Sequence, residues 1–464
     1  MTSRPDRWGW WVAAVVAALA VWIDLSPIHA YHTSDSFVPV FASLYRWTPF
    51  FWEQNRFGSL IPLLSLGIDS PFANLLFQVG LRLLAVVASF FLLARTVVPR
   101  PYWPAVGALT LALWLGGQEI RAHAFVQMQP YGQAVALSLA GLLLLESRSW
   151  WRVAVGIGLL LLAFWISLTT LFWLFPLVVA RHFLLRPGRT VLALFAVVFS
   201  FGASLVFSRL SVYRRATSFS AADPGDWPLA WRTLAERSMD YLSLPLVLAA
   251  LGLLVAALLL RRRLAFSAGL CLLVVGLGEV IVMGTTYWAK HNGWSVRYVA
   301  VELLALGTLA PALALVFLLE DRPERWHRIA NALGLTMLLL VAVWRYGEPS
   351  VTRARAALDQ FGEGTDEILA SGSTHLLGGY WRAWPAGFHA NVVRWERGET
   401  TPVWVLSLRS RPTEPLWRPR DWAGARIAVL RGDETEAEEV RHRLEVPPLE
   451  LAEDLGEVRV YTAK

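Results

Sequence analysis

About eleven apolar runs, joined by short polar segments, constrain the fold of this chain more than any other feature. Most approach the ~20 residues with which an α-helix crosses a bilayer, and the shorter ones need neighbouring polar residues to complete a span. The sequence therefore predicts an all-α polytopic membrane protein with about eleven transmembrane helices. A further apolar segment, Leu60–Leu66, is too short to span and is predicted to be re-entrant or interfacial. The runs are Trp8–Ile23, Phe72–Ala94, Tyr102–Leu115, Gln133–Leu145, Val153–Ser167, Leu171–Leu185, Val191–Ser208, Leu244–Leu260, Leu264–Gly284, Val299–Leu319 and Ile329–Trp344.

Composition agrees with a membrane protein and gives no support to nucleic-acid binding. Hydrophobic residues make up 56% of the chain and charged residues 17%. Tryptophan occurs 24 times, as is typical where indoles line both membrane interfaces. Of the 42 basic residues only Lys290 and Lys464 are lysines, and this bias is interpreted as the mark of a GC-rich genome. The one cysteine, Cys271, leaves no intrachain disulfide to form.

Arginines in alternate short connections set the expected orientation, because basic residues in short loops mark the cytoplasmic side. The N-terminus shares that side, since the first run, preceded by Arg4 and Arg7, is interpreted as an uncleaved helix rather than a signal peptide. The loops around Asp35 and Lys290 and everything after Tyr346 are then periplasmic or extracellular, in an integral plasma (inner) membrane protein. The cytoplasmic arginines are Arg95, Arg100, Arg148, Arg152, Arg181, Arg186, Arg189, Arg261, Arg262, Arg263, Arg322, Arg325 and Arg328.

After a transmembrane domain of residues 1–346, residues 347–464 change in composition and predict a small extracytoplasmic α/β domain. Strand-like runs alternate with helical patterns there, and the segment is long enough for a core of its own. It has no glycine-rich phosphate loop of the strand–GxGxxG–helix kind, and its expected role is to cap or dock onto the membrane part. The expected strands are Glu367–Ala370, Val403–Leu408, Arg426–Leu430 and Glu457–Tyr461, and the expected helices are Ser373–Trp384 and Thr435–Leu444.

The first candidate for chemistry is Asp35, in the polar, aromatic-rich segment His29–Leu64 that follows the first run. It is the segment's only acid before Glu53 and lies close to the expected headgroup plane. A carboxylate there can take a proton from an acceptor as a general base. Ser34 and Ser36 flank Asp35 before an apolar run, so the pattern also predicts a helix N-cap, and the two roles are compatible.

Two histidines precede this acid with the spacing H-x2-H-x2-D, formed by His29, His32 and Asp35. On one helical turn such a spacing could bring metal ligands together. A zinc site usually needs a third strong ligand and a defined turn, and histidines are common at membrane interfaces. Metal binding is therefore the weaker interpretation of this pattern.

Four stretches resemble the GT-C superfamily of multi-spanning glycosyltransferases, in particular the dolichyl-phosphate-mannose-protein mannosyltransferase and lipid A aminoarabinose transferase groups. They are FFWEQNRFGSLIPLL in the first outer loop, GGQEIRAHAF after the third run, WSVRYVAVELLAL opening a late run and EILASGSTHLLGGYWRAWP in the C-terminal segment. The resemblance implies transfer of a sugar from a polyprenyl-phosphate carrier to a glycan, lipid or protein of the cell envelope. No Asp-x-Asp follows the third run, so a divalent metal stays open, and no other cofactor is implied.

Glu119 matches the second acidic position of that superfamily. It follows a glycine pair at the expected outer end of the third run. The resemblance therefore implies that Glu119 is a second catalytic acid, in addition to Asp35. The alternative is an interfacial carboxylate paired with Arg121. Neither interpretation is preferred from the sequence.

Candidate contacts for the donor phosphate cluster in TYWAKHNGWSVRYV, where Lys290, His291 and Arg297 lie on one predicted external loop. An ammonium supplies a point charge for phosphate, and a guanidinium adds a bidentate grip. Headgroup anchoring, aided by Trp294, is the alternative for these cations. Arg56, in the first outer loop, is a further candidate.

Two other functions fit the same architecture. A transporter or flippase for lipid-linked sugars would also show many helices with buried charge, for which Arg82 and Glu279 inside apolar runs are the residues to consider. An O-antigen-type polymerase would show many helices and arginine-rich external loops. The external acids favour the glycosyltransferase, and no Gly/Pro-broken helices recur at matching positions in two halves.

Overall fold

A computed structural model describes residues 7–50, 58–98, 100–117, 131–185, 188–209, 221–242, 244–408, 410, 414–419 and 422–463. Contacts divide the chain into two compact units. The helical unit is drawn from Met1–Ile23, Arg82–Leu210 and Ala216–Glu348, and the mixed unit, in its described part, from Asp24–Leu81 and Pro349–Lys464. The division into domains at residue 346 stays a prediction.

All the apolar runs of the sequence form helices in the described residues, and the short segment from Leu60 forms a helix of a single turn. The helices before residue 347 are α1 (Arg7–Asp24), α2 (Ser34–Leu44), α3 (Leu60–Leu64), α4 (Pro71–Val97), α5 (Trp103–Leu115), α6 (Tyr131–Leu145), α7 (Trp150–Ile166), α8 (Thr170–Leu184), α9 (Thr190–Arg209), α10 (Trp227–Met239), α11 (Leu244–Leu259), α12 (Arg263–Gly284), α13 (Tyr287–His291), α14 (Ala300–Leu319) and α15 (Glu324–Tyr346).

Five described helices, namely α4, α9, α12, α14 with the turn before it, and α15, are long and apolar enough to cross a membrane. The bent pair Pro224–Met239 and Leu244–Leu259 makes a sixth if it is one span, and α1, α5, α6, α7 and α8 are shorter apolar helices. The chain is thus a helical integral membrane protein. The number of eleven crossings stays a prediction.

Glycines allow close packing of helices inside the helical unit, and an asparagine joins two of them by hydrogen bonds. A Cβ on Gly141 of α6 would lie 2.8 Å from the carbonyl oxygen of Gly156 on α7, and one on Gly156 would lie 2.9 Å from that of Gly141. Small residues at such crossings let the backbones of membrane helices approach. Asn331 of α15 joins α5 by accepting the Ala105 N–H at 3.1 Å and donating to the Pro101 carbonyl at 2.8 Å.

The mixed unit contains a five-stranded sheet in the order β2-β1-β3-β5-β4, which confirms a small C-terminal sheet. β1 (His375–Leu377) pairs in parallel with β2 (Trp404–Leu406) and β3 (Arg426–Leu430), while β5 (Val458–Ala463) is antiparallel to β3 and β4 (Leu449–Asp454). Its helices are α16 (Val351–Leu358), α17 (Thr365–Ala370), α18 (Tyr380–Glu396), α19 (Glu414–Trp417) and α20 (Glu434–Arg443). Leu377, Leu406, Ile427 and Val429 bury the sheet's apolar face against α20.

The local predictions for this segment were partly wrong. The strand expected at Glu367–Ala370 is part of helix α17, which begins after Gly364 in a left-handed conformation. The helix expected at Ser373–Trp384 is strand β1 followed by a glycine turn and the start of α18, because the apolar triplet HLL is buried between parallel strands. The other three expected strands and the helix from Thr435 match β2, β3, β5 and α20, while β4, with the alternating sequence LELAED, was missed.

Within the mixed unit, α2 packs on α18 through aromatic side chains. Phe37, fully buried, stacks on Phe388 with ring centroids 4.6 Å apart and meets Phe361 edge-on at 5.5 Å. Phe41 meets Trp384 edge-on at 5.0 Å. Each such ring buries a large apolar area and adds geometric preference to the contact. This packing fixes the first turn of α2 against the first turns of α18.

Candidate active site

Asp35 lies in the first turn of α2 and contacts the first residue of α18. The phenol of Tyr380 donates a hydrogen bond to Asp35 Oδ1 at 2.5 Å. In return, the Ser34 hydroxyl donates to the Tyr380 carbonyl oxygen at 2.6 Å. Asp35 and Tyr380 are both partly exposed, so the pair is accessible from solution. The structure thus joins Asp35 to a tyrosine of the stretch EILASGSTHLLGGYWRAWP, one of the four that carry the resemblance.

The N-cap role expected for Asp35 is wrong. Thr33 occupies the N-cap position with extended backbone angles, and Asp35 is the second residue inside the helix. A carboxylate in a first turn still favours the positive end of the helix dipole. Its side chain accepts the hydrogen bond from Tyr380 across to α18.

The two histidines of the H-x2-H-x2-D pattern are buried in the mixed unit. His29 is fully buried, its Nε2 lies 2.8 Å from the Asp24 carbonyl oxygen, and its ring packs on His32 with centroids 4.6 Å apart. Burial lowers the pKa of His29 to about 4, so the ring is neutral at neutral pH. Across the described ranges, no three His, Cys, Asp or Glu side chains converge in a way that could hold a metal ion.

Two of the chosen residues lie outside the described residues. Glu119, the second candidate acid, and Arg56, the candidate cation of the first outer loop, both fall there. Arg121, the alternative partner of Glu119, does as well. Their roles stay predictions.

Lys290, in the helical unit, forms an ion pair. Its ammonium nitrogen lies 2.6 Å from Asp226 Oδ2, and both side chains are partly exposed. The hydrogen bond to Asp226 raises the pKa of Lys290, which therefore stays charged. A phosphate at Lys290 would have to compete with this carboxylate. His291, exposed, stacks on Tyr287 with ring centroids 6.1 Å apart.

The loop between Lys290 and Arg297 is held by Arg237 of α10. Gly293 and Trp294 both have left-handed backbone angles, with φ of 62° and 49°. Arg237 donates to the Gly293 carbonyl at 2.5 Å and to the Trp294 carbonyl at 3.2 Å. The guanidinium therefore stabilises a turn that a tryptophan adopts only at a cost.

Arg297 lines a small cavity at the start of α14. Its guanidinium lies over the Tyr298 ring, 5.1 Å from the centroid, and donates to the Tyr298 hydroxyl at 3.0 Å. Tyr131, Trp173 and Glu279 line the same cavity, whose volume of about 10 Å³ holds at most one water. A guanidinium can form charge-assisted hydrogen bonds to an anionic oxygen, and such a role of Arg297 stays a prediction.

Glu279 has a structural contact. Its Oε2 accepts the backbone N–H of Glu302 at 2.8 Å, at the N-terminus of α14. Glu302 in turn accepts a hydrogen bond from the Ser238 hydroxyl at 3.3 Å. Both carboxylates are buried, with 4% of their surface exposed. A buried acid that caps a helix supports the structural interpretation of Glu279 over a transport role.

Three contact residues were not chosen from the sequence. Tyr380 lies within one of the stretches that carry the resemblance but was not predicted as a site residue. Its position directly after Gly378-Gly379, at the end of strand β1, is a signal that could have identified it. Asp226 and Glu302 give no local signal, since one lies in a polar loop and the other opens an apolar run. Their partners are 64 and 23 positions away, a separation no spacing rule covers.

Among solved structures, the chain is similar to the crystal structure of ArnT from Cupriavidus metallidurans bound to undecaprenyl phosphate. The similarity covers 99% of this chain and 98% of that chain, with 12% sequence identity and a TM-score of 0.46. ArnT is a GT-C lipid A aminoarabinose transferase, one of the groups that the sequence resembles. No protein-family model and no curated protein matches the chain. Identity and TM-score are too low for this likeness to assign an activity or a site.

Proposed function

We propose that the protein is a membrane glycosyltransferase that moves a sugar from a polyprenyl-phosphate carrier to an envelope acceptor on the extracytoplasmic face. One observation carries the proposal: a partly exposed carboxylate, Asp35, is held by the Tyr380 phenol in an integral membrane protein. A donor supplied by the bilayer suits such a protein, because nucleotide sugars are scarce outside the cytoplasm. The external location of Asp35 follows from the arginine pattern.

The proposed reaction forms one bond and breaks one bond at the sugar's anomeric carbon. The acceptor hydroxyl attacks this carbon, its proton passes to the Asp35 carboxylate, and the bond to the carrier phosphate breaks. The phosphate leaves with the bonding electron pair and gains negative charge in the transition state, so a nearby cation stabilises it. Asp35, left protonated, returns the proton to water. A carboxylate offers about four lone-pair sites, so it can accept more than one hydrogen bond at a time.

Arg297 is the proposed main contact for the carrier phosphate, with Lys290 and His291 as weaker ones. Its guanidinium donates to the Tyr298 hydroxyl and lines a cavity at the start of α14, and Lys290 is bound to Asp226. A fixed planar cation gives charge-assisted hydrogen bonds to phosphate. The Lys290 ammonium would have to release the Asp226 carboxylate before it could bind the phosphate.

Replacing Arg297 by alanine is therefore expected to weaken binding of undecaprenyl phosphate about tenfold to a hundredfold, the usual effect of losing a hydrogen bond between charged groups. Binding is measured on full-length protein in nanodiscs of neutral lipid. Arg232→Ala is the control, because Arg232 is an exposed arginine of the same unit paired with Glu236. Equal losses in the two variants would indicate general attraction to anionic lipid and remove Arg297 as a specific contact.

The function itself is tested by comparing the cell envelope with and without the gene. Glycans, lipids and proteins of the envelope are compared by mass spectrometry, and a transferase predicts one class of molecule that loses a single sugar. Accumulation of the sugar-loaded carrier accompanies this loss. A transporter predicts instead that the loaded carrier accumulates on the cytoplasmic side, and a polymerase predicts shorter chains of an otherwise unchanged repeat.

A further inference from the structure

The tyrosine that holds Asp35 is itself fixed by a carboxylate far along the chain. Asp433, in the turn between β3 and α20, accepts the Gly379 N–H on its Oδ2 at 2.7 Å. Gly379 is the N-cap of α18, and Tyr380 is the first helical residue. An anion at the N-terminus of a helix is stabilised by the helix dipole. Asp433 is 4% exposed, so this hydrogen bond is protected from water.

The glycines before Tyr380 lie very close to two carboxylates. A Cβ on Gly378 would overlap the Asp433 carboxylate, and one on Gly379 would overlap the Glu436 carboxylate. A larger residue at either position would therefore displace one of these carboxylates, and at position 378 that carboxylate is the one that accepts the Gly379 N–H.

The position of Asp433 follows from the sheet topology. β1 lies between β2 and β3 in a parallel arrangement, and α18 connects β1 to β2. The connections after β1 and β3 thus leave the same edge of the sheet in different directions, where open α/β sheets have a crevice that commonly binds anionic ligands. In this chain Asp433 accepts the backbone N–H of Gly379 at that edge of the sheet.

Tyr380 is consequently held on two sides. Asp433 binds the peptide before it, and Ser34 donates to its carbonyl oxygen at 2.6 Å. Its phenol is then directed at Asp35, one residue after Ser34. Ser34 thus binds the backbone of Tyr380 and Asp35 binds its phenol. These two contacts from α2 restrict the conformations that Tyr380 can adopt.

We propose that Tyr380 is a positioning residue for the Asp35 carboxylate, and that Asp433 positions Tyr380 through the Gly378–Gly379 turn. The inference rests on the proposed function, in which Asp35 is the base. The inference gives the C-terminal sheet a part in catalysis. Asp433, after β3, positions the Gly378–Gly379 turn, this turn positions the Tyr380 phenol, and the phenol orients the Asp35 carboxylate. Tyr380 and Asp433 act on the reaction only through Asp35.

The geometric half of the proposal is tested without substrate. 3-Fluorotyrosine is incorporated at position 380 of the full-length protein in nanodiscs, and its ¹⁹F resonance reports the environment of the phenol. Asp35→Asn and Asp433→Ala are both expected to shift this resonance, whereas Asp433→Asn, which keeps an oxygen acceptor for Gly379, leaves it near the original position. Asp366→Ala, at an acid with 90% of its side chain exposed, is the control. An unchanged resonance in Asp433→Ala would overturn the link from Asp433 to Tyr380.

The catalytic half is tested with a double-mutant cycle. Tyr380→Phe keeps the ring and removes the hydroxyl, and it should lower the rate of product formation in complemented cells about tenfold to a hundredfold. In an Asp35→Glu background, where the carboxylate is displaced, the same change should cost less than about threefold. Equal costs in both backgrounds would show that Tyr380 does not act through Asp35.

The two proposals fail in different ways. Normal product formation by Asp35→Asn would exclude Asp35 as the base, while the ¹⁹F result would stand. Loss of product in Asp35→Asn together with normal product in Tyr380→Phe would overturn the positioning role alone. Protein amount and thermal stability are matched for every variant, so that a folding defect is not counted as a loss of rate.

Discussion

Replacing Asp35 by asparagine is expected to lower the rate of sugar transfer by about 10²–10⁴-fold, the usual range for the loss of a general base. Asparagine has nearly the same size, and its side-chain oxygen can still accept the hydrogen bond from Tyr380. The fold should therefore persist while the proton acceptor is lost. Transfer is measured in membranes and normalised to folded protein by size-exclusion chromatography in detergent.

Two further variants separate chemistry from folding. Asp69→Asn changes an exposed acid of the same unit and should keep the original rate. Asp35→Ala should lose as much activity as Asp35→Asn and, because the Tyr380 hydroxyl then loses its acceptor, about 1 kcal/mol or more of stability. Near-normal transfer by Asp35→Asn would exclude Asp35 as the base and leave Glu119 as the remaining candidate acid.

Alkaline phosphatase fused after Lys464 is expected to be active, and the same enzyme fused after Arg263 inactive. Alkaline phosphatase folds to its active form only outside the cytoplasm, and the arginines before α12 are predicted to stay inside. The measurement is phosphatase activity per amount of fusion protein. A cytoplasmic reporter at the same two sites should give the reverse pattern and serves as the control. An active fusion after Arg263 would invert the orientation and with it the external location of Asp35.

The helical architecture could be predicted from the sequence because each helix is a local property of the chain. Runs such as Leu264–Gly284 need only their own apolar residues to be recognised, and the structure has a helix at Arg263–Gly284. The prediction near Glu367 was wrong because a segment of six residues, both polar and apolar, fits a strand as well as a short helix. There the backbone of Gly364, with φ of 68°, decided the outcome.

Only one member of the Asp35–Tyr380 pair could be predicted from the sequence. Asp35 was found because a polar residue just outside an apolar helix is conspicuous. Its hydrogen-bonding partner was not, since Tyr380 is brought to it by the packing of Phe37 on Phe388 and by the turn at Asp433. Such contacts depend on tertiary structure, and single-sequence patterns carry no information on which distant segments meet.

The hydrogen bond between Asp35 and Tyr380 joins residues 345 positions apart. A ribosome that adds 5–20 residues per second needs roughly 17–70 seconds to pass from one to the other. Throughout that interval the nascent chain contains Asp35 but not yet Tyr380, so the hydrogen bond between them cannot form. In the proposed mechanism, the Asp35 carboxylate can be oriented only after Tyr380 has been added to the chain, and a chain cut short before Asp433 should show the same reduced rate as the Tyr380→Phe variant.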